Sequence, residues 1–240
     1  MSTAYKLDYS GGIGPTLAMP LRLPEQYNPD GWTHLHVWPA STWNEVLRRT
    51  IDVAGSIVLL LLTLPVMAAA ILAIRLTSRG PAVFRQVRAG RYGQPFVMYK
   101  LRTMRHNAPH LRLAEQDEGR NGPAFKLRND PRVTHIGRLL RRTSIDELPQ
   151  LLNVLRGEMS LVGPRPLPLH QVRLGTLSER ARISVKPGLT GLWQVSGRAD
   201  IPYDEWVELD LYYVQHRSIR LDLQILLKTI PAVLTCRGAY

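Results

Sequence analysis

The longest apolar run in the chain extends from Val53 to Ile74 without a charged residue, roughly the twenty residues needed to cross the hydrocarbon core of a bilayer. It predicts a membrane helix over residues 43–79. Arg48 and Arg49 precede the run, while Arg75, Arg79, Arg85 and Arg88 follow it. Basic residues mark the cytoplasmic side of a membrane segment, and here both flanks carry them. Pro65 lies near the middle, where it removes a backbone donor and crowds the preceding turn. Charge and proline together leave two outcomes, a re-entrant helix that returns to the side it left and a kinked straight span.

Ahead of this run, residues 1–42 carry clustered Gly and Pro with no sustained apolar period, the pattern of a flexible leader. His34 and His36 make an isolated pair without further ligands, and Trp32, Trp38 and Trp43 suit either the headgroup layer or the domain surface. Beyond it, residues 80–240 read as one domain. Ala82 to Val87 and Pro95 to Leu101 have strand character around the turn signal Gly90-Arg91-Tyr92-Gly93, so a small β-hairpin is expected. His106 to Arg120 is polar and helix-compatible until Asn121-Gly122-Pro123 breaks it. Val133 to Arg142 and Gln150 to Arg156 carry apolar residues three and four apart, with Gly157 placed as a C-terminal cap. Tyr203 to Val214 and Leu221 to Leu234 are amphipathic helical patterns with basic companions, suited to a membrane surface or to packing on the core. The fold class expected is α+β and mainly helical: a membrane helix, read as re-entrant, joined to a compact domain with a small hairpin and amphipathic interfacial helices.

Composition narrows the chemistry. A formal charge of +12 over 240 residues predicts an anionic partner, whether membrane, nucleotide or nucleic acid. The single cysteine, Cys236, rules out an internal disulfide and a cysteine-based zinc site within one chain.

Between the two short helical patterns lies Thr143-Ser144-Ile145-Asp146-Glu147-Leu148-Pro149-Gln150, with adjacent carboxylates downstream of Arg138, Arg141 and Arg142. A carboxylate among cations stays ionised and can attack an anionic phosphorus centre, which points to phosphoryl transfer. Ser144 and Glu147 also have the spacing of a capping box, with Pro149 then in the second helical turn. Alternatively Pro149 opens the helix and the acids lie in the turn before it. Gly163-Pro164-Arg165-Pro166 is a stiff loop that holds a guanidinium ready for phosphate. Lys186-Pro187-Gly188-Leu189-Thr190-Gly191-Leu192-Trp193 offers close backbone approach and an aromatic face for a base, or a buried tryptophan. Lys100, Arg102 and Arg105 end the second strand, and Asp222 enters the last helix where capping would account for it.

These strings, in order, resemble the bacterial sugar transferase family, the monotopic polyprenyl-phosphate phosphoglycosyl transferases. The resemblance runs from about Arg48 to Tyr240. It is carried by the basic-flanked helix with its proline, Lys100-Leu101-Arg102-Thr103-Met104, Asp130-Pro131-Arg132, Ser144 to Leu151, Arg156 to Pro166 and Lys186 to Gly191. It implies that Asp146 is the nucleophile, forming an aspartyl phosphosugar with loss of UMP, and that undecaprenyl phosphate then accepts the sugar phosphate. It further implies Mg²⁺ near Asp146, an essential Glu147, and supporting roles for Lys100, Arg141, Arg165 and Asp222. The implied partners are a UDP-sugar, undecaprenyl phosphate and membrane lipids, with no nucleic acid; a homodimer stays open. The implied location is the bacterial inner membrane, with the domain facing the cytoplasm and a re-entrant helix. Gly238-Ala239-Tyr240 resembles the ending of members that transfer hexose phosphates, which favours glucose or galactose. The competing class is a nonenzymatic basic membrane adaptor for anionic lipids or nucleic acid, which leaves the acid pair and ordered loops without a purpose.

Overall fold

The computed structural model describes residues 42–105, 130–169, 172, 176–198 and 201–236. The leader, the 106–120 pattern and the chain end lie outside the described residues. What is described is mostly helical, with two small sheets. Helix α1 covers Thr42–Thr77 as one element with Pro65 inside it, and is long and apolar enough to cross a membrane.

Both halves of α1 dock on the following domain. In the first half, the Arg48 guanidinium donates to Asp222 at 2.6 Å. Arg49 donates to the carbonyls of Val154 and Leu155, each at 2.6 Å, where it satisfies carbonyls that the end of a helix leaves open. One turn on, Asp52 accepts from the Ser160 hydroxyl at 2.9 Å and the Leu161 amide at 2.8 Å. A side chain at Gly55 would stand 2.8 Å from Leu161, so the glycine permits this close approach. In the second half, Ala70 and Ile74 pack with Ala82, Leu101 and Leu140. Arg102 then donates to the carbonyls of Arg79 and Ser78 at 2.7 and 2.9 Å. Between these docked positions, Ile57, Val58, Leu61, Leu62, Leu64, Val66 and Leu72 are exposed.

Strands β1, Val83–Ala89, and β2, Pro95–Leu101, pair antiparallel from Val83 opposite Leu101 to Ala89 opposite Pro95. β1 starts and ends a residue or two later than the sequence pattern suggested. The free edge of β2 is covered by Asn153, whose side chain accepts from the Tyr99 amide and donates to the Val97 carbonyl, imitating a further strand. Helix α2, His135–Arg142, is capped by the Thr134 side chain. A 3₁₀ segment, Ile145–Gln150, leads into α3, Leu151–Arg156. Gly157 closes α3 at φ 81°, the left-handed cap that its residue type allows.

Strand β3, Ser160–Val162, runs parallel to β4, Gly188–Thr190. Gly163 and Gly188 are both needed there, because a Cβ on Gly163 would lie 2.6 Å from the Lys186 carbonyl oxygen and one on Gly188 would strike the Gly163 backbone. The close approach expected of the Gly188 loop is thus used by the protein's own chain. Among the described residues four more helices follow: α4, Leu177–Arg182; α5, Leu192–Ser196; α6, Tyr203–Gln215; and α7, Ile219–Leu234. The main core gathers Phe96, Met98, Leu151, Val154, Met159, Leu161, Tyr213 and Ile225 from both sheets, α3, α6 and α7. Leu223, Leu227, Ile230 and Leu234 leave an apolar stripe exposed along α7.

Candidate active site

The acid pair sits on the 3₁₀ segment rather than on an α-helix. Ser144 takes φ 58° and ψ 14°, and its side chain caps nothing. The capping box therefore does not form. Ser144 stands at the N-cap position of the 3₁₀ segment with Pro149 inside it, as one of the two readings placed them but without the side-chain cap, and Pro149 is not the first residue of α3. The left-handed Ser144 turns the chain sharply after α2 and brings both acids over the end of β2. Asp146 is 7% exposed, which makes the charge environment decisive because solvent screens it little.

Lys100 faces the pair from β2. Its ammonium donates to Glu147 Oε1 at 2.8 Å and lies 4.0 Å from Asp146 Oδ2. Arg165, from the stiff loop after β3, donates to the same Glu147 oxygen at 2.9 Å. Burial acts to lower the Arg165 pKa, but the Glu147 charge and hydrogen bond outweigh it and the group is held above its ordinary value. Arg141, on the last turn of α2, donates through Nε to Thr103 Oγ1 at 3.0 Å. Burial lowers the Arg141 pKa, opposed by the charges of Asp146 and Asp130. Asp130 is itself engaged by Arg132 at 2.7 Å.

Two further cations belong to this field: Arg88, which the sequence offered only as a basic flank of the apolar run, and Arg198. Arg88 on β1 donates to the Pro166 carbonyl at 3.0 Å and to Gln86, tying the hairpin to the Arg165 loop. Burial, then the like charge of Arg165, pushes the Arg88 pKa down to about 10, against the pull of Glu147. Arg198, just past α5, is lowered by burial and also attracted by Glu147. Five cationic side chains against two carboxylates leave an excess of three positive charges at the site.

Lys100, Arg141, Arg165, Asp146 and Glu147 thus come together as expected from their motifs. Asp222 does not join them through its hydrogen bonds: it accepts from Arg48 at 2.6 Å and from the Tyr213 hydroxyl at 2.8 Å. The cap of α7 is Ser218, so the capping account of Asp222 fails as well. Trp193 is buried against Leu167 and Trp206, with its ring centroid 4.4 Å from that of Trp206. Its face is spent on the core rather than offered to a base. Among the described residues no cluster of three or more His, Cys, Asp or Glu side chains forms a closed metal cage.

The class this defines is a domain with a membrane-compatible helix and a buried carboxylate pair in a cation-rich wall. Residues 43–236 match the family model for bacterial sugar transferases. The chain is 44% identical over 81% of its length to undecaprenyl-phosphate galactose phosphotransferase of Salmonella typhimurium, of which it spans 42%. It is 44% identical over 82% of its length to UDP-glucose:undecaprenyl-phosphate glucose-1-phosphate transferase of Caulobacter vibrioides, spanning 73% of that protein. The exopolysaccharide production protein ExoY of Rhizobium meliloti is 42% identical over 80% of the chain, which spans 88% of that relative. The chain belongs to the bacterial sugar transferase family.

Proposed function

We propose that this protein transfers a sugar-1-phosphate, galactose or glucose, from a UDP-sugar to undecaprenyl phosphate at the cytoplasmic face of the inner membrane. UMP is released, and the lipid-linked sugar starts assembly of an exopolysaccharide, capsule or O-antigen. The observation that carries this reading is the buried acid pair clamped by Lys100 and Arg165 beside Arg141.

In the first step an Asp146 carboxylate oxygen attacks the phosphorus that bears the sugar. A P–O bond forms, the bond from that phosphorus to the bridging oxygen breaks, and UMP leaves with the electron pair. In the second step an oxygen of undecaprenyl phosphate attacks the same phosphorus and the Asp146 carboxylate departs, leaving a polyprenyl diphosphosugar. The obstacle to both steps is repulsion between an anionic nucleophile and an anionic centre, and the excess of cations offsets it. Lys100 and Arg165 share one Glu147 oxygen, so Glu147 holds two phosphate-facing cations in place beside Asp146.

Adjacent carboxylates fit Mg²⁺, which commonly takes one or two protein carboxylates and fills its shell with water and substrate phosphate. Asp146 would hold it, and when bound it supplies further neutralisation of the leaving diphosphate. The cations described above act on the phosphates directly.

The docking of both halves of α1 on one domain supports a re-entrant helix. Asp52 and Ile74 are separated by a rise of about 33 Å if helical, comparable to the hydrocarbon thickness of about 30 Å. A straight transverse span would carry one of these positions to the far side, away from its partners. Pro65 lies between them, and the exposed apolar positions face the lipid.

The test is UMP release from UDP-galactose or UDP-glucose with Mg²⁺ and undecaprenyl phosphate, followed by mass spectrometry of protein incubated with donor alone. The expected adduct is a hexosyl phosphate on Asp146. Asp146→Asn should abolish both signals while leaving membrane association intact. An adduct on another side chain, or no UMP from folded wild-type protein, refutes the reading.

A further inference from the structure

Strand β1 pairs Phe84 with Lys100, Gln86 with Met98 and Arg88 with Phe96 across the hairpin. Residues directly opposite in an antiparallel pair share a face, with Cβ atoms about 5 Å apart. This is the face of the acid pair, because Lys100 donates from it to Glu147. Along β1, Arg88 is engaged with the Pro166 carbonyl at 3.0 Å and with Gln86 at 2.7 Å. Phe84 stays 45% exposed, although its strand partner clamps the acid pair. A large apolar side chain left open beside a charged site forgoes the gain that burial would bring.

The surface around Phe84 leads to the apolar helix. Ala82, two residues earlier, is buried with Leu101 and with Ile74 of α1, and its carbonyl accepts from the Arg102 amide at 2.8 Å. Leu72 and Leu76, on either side of Ile74 in the chain, are both exposed. Phe84 therefore continues the apolar surface of α1 up to Lys100. Apolar surface lies on one side of the ring, and on the other lie the charges of Lys100 and Arg165, both bonded to Glu147. A prenyl phosphate needs that pairing of surfaces, since its first isoprene unit is joined to the phosphate through a single ester oxygen. The uracil and hexose of a nucleotide sugar reach the site from water and carry polar edges that a bare phenyl ring cannot hydrogen-bond.

We propose that Phe84 contacts the lipid acceptor, its ring packing on the first isoprene unit of undecaprenyl phosphate while the acceptor phosphate lies beside Lys100 and Asp146. This rests on the phosphoglycosyl transferase reading above. No bond forms or breaks at Phe84; it seats the lipid so that a phosphate oxygen faces the sugar-bearing phosphorus.

Full-length, detergent-solubilised protein allows the two half-reactions to be read apart. Phe84→Ala is expected to raise KM for undecaprenyl phosphate about 10-fold, the scale for losing part of a buried aromatic contact. Loading of Asp146 with hexosyl phosphate by donor alone should stay within twofold of wild type, and Phe84→Leu should recover part of the lipid KM. Dimethylallyl phosphate and methyl phosphate, used as competitors of undecaprenyl phosphate, probe the first isoprene unit by itself. The prenyl ester should inhibit the wild type more strongly, and Phe84→Ala should erase the difference. Equal inhibition of the wild type by the two esters overturns the proposal. A difference that survives Phe84→Ala assigns the ring to lipid or detergent alone and overturns it as well. So does a change confined to the KM for the nucleotide sugar. If Phe84→Ala does not fold, photolabelling of the wild type by a diazirine-bearing prenyl phosphate decides: undecaprenyl phosphate should block labelling of the peptide containing Phe84, and the absence of a blockable label there overturns the contact. Wild-type protein that releases no UMP would sink the functional reading and this inference with it. Wild-type turnover with unchanged Phe84→Ala constants sinks the inference alone.

Discussion

Lys100→Met removes one positive charge while keeping most of the side-chain volume. In the structure the Lys100 ammonium lies 4.0 Å from Asp146 Oδ2. At an effective dielectric of about 20, that separation corresponds to an attraction of about 4 kcal/mol. The side chains are 15% and 9% exposed, so salt screens the pair far less than a surface pair. On the proposed mechanism the same ammonium faces the incoming diphosphate, and its loss leaves the like-charge repulsion less offset. An ammonium about 4 Å from a diphosphate oxygen gains a similar attraction, and if half to all of that is expressed only in the transition state, about 2–4 kcal/mol, the first step slows about 30- to 1000-fold. Arg165 still holds Glu147 at 2.9 Å, so the acid pair keeps its support and the effect reports charge rather than collapse of the turn. The assay is the initial rate of UMP release against donor concentration, with Lys100→Arg as the charge-retaining control and thermal unfolding as the check on folding. A folded Lys100→Met protein whose kcat/KM stays within threefold of wild type would refute the electrostatic account of this site.

The remaining predictions address support and topology. Thr103→Val removes the oxygen that accepts from Arg141 Nε at 3.0 Å; UMP release should fall about 10-fold, the scale of one hydrogen bond to a charged group, and Thr103→Ser should restore most of it. In a Cys236→Ser background, single cysteines at residue 30 and residue 120 should both resist an impermeant maleimide applied to intact spheroplasts and both react after lysis. Labelling of only one of them from outside would make α1 a true span.

How much of this was legible in the chain depended on whether local pattern or tertiary contact decided each feature. The membrane helix, the two strands, α6 and α7 follow from apolar periodicity, and Gly157 ends α3 as its residue type requires. Asp146 and Glu147 stood out as an acid pair following arginines, and Arg165 as a guanidinium in a stiff loop, whereas the roles of Lys100 and Arg141 came with the family resemblance. Arg88 and Arg198 did not stand out as site residues, because an arginine on a strand and one after a short helix look like solvated surface until the fold points them inward. Asp52 was hidden for a related reason. It borders the apolar run as a lone acid, and only the amide of Leu161 and hydroxyl of Ser160, more than a hundred residues away in sequence, give it a purpose. Ser144 misled because spacing signals a cap, whereas backbone handedness, which decides whether the cap forms, is imposed by packing at Leu140 and Ile145.

On the proposed mechanism a water-soluble donor and a lipid-borne acceptor reach the same carboxylate, so the depth of Asp146 relative to the bilayer would matter as much as its charge. The segment that carries the acid pair is attached to both halves of α1. Ile145, the residue before Asp146, packs with Ala70 and Ile74 on the second half of α1. At the other end, the 3₁₀ segment runs directly into α3, whose final carbonyls are held by Arg49 on the first half of α1. The acid pair is therefore strung between two attachments to one helix. A helix held by the bilayer cannot shift along its normal without moving Ile145 or Val154, and so without moving the carboxylate. On this geometry the tie between Arg48 and Asp222 acts on the reaction through position: it fastens α7, with its exposed apolar stripe, to the same end of α1 that carries Arg49. On the proposed mechanism, an Asp222 remote in its hydrogen bonds from the acid pair would bear on the reaction by helping to set where Asp146 sits relative to the lipid phosphate.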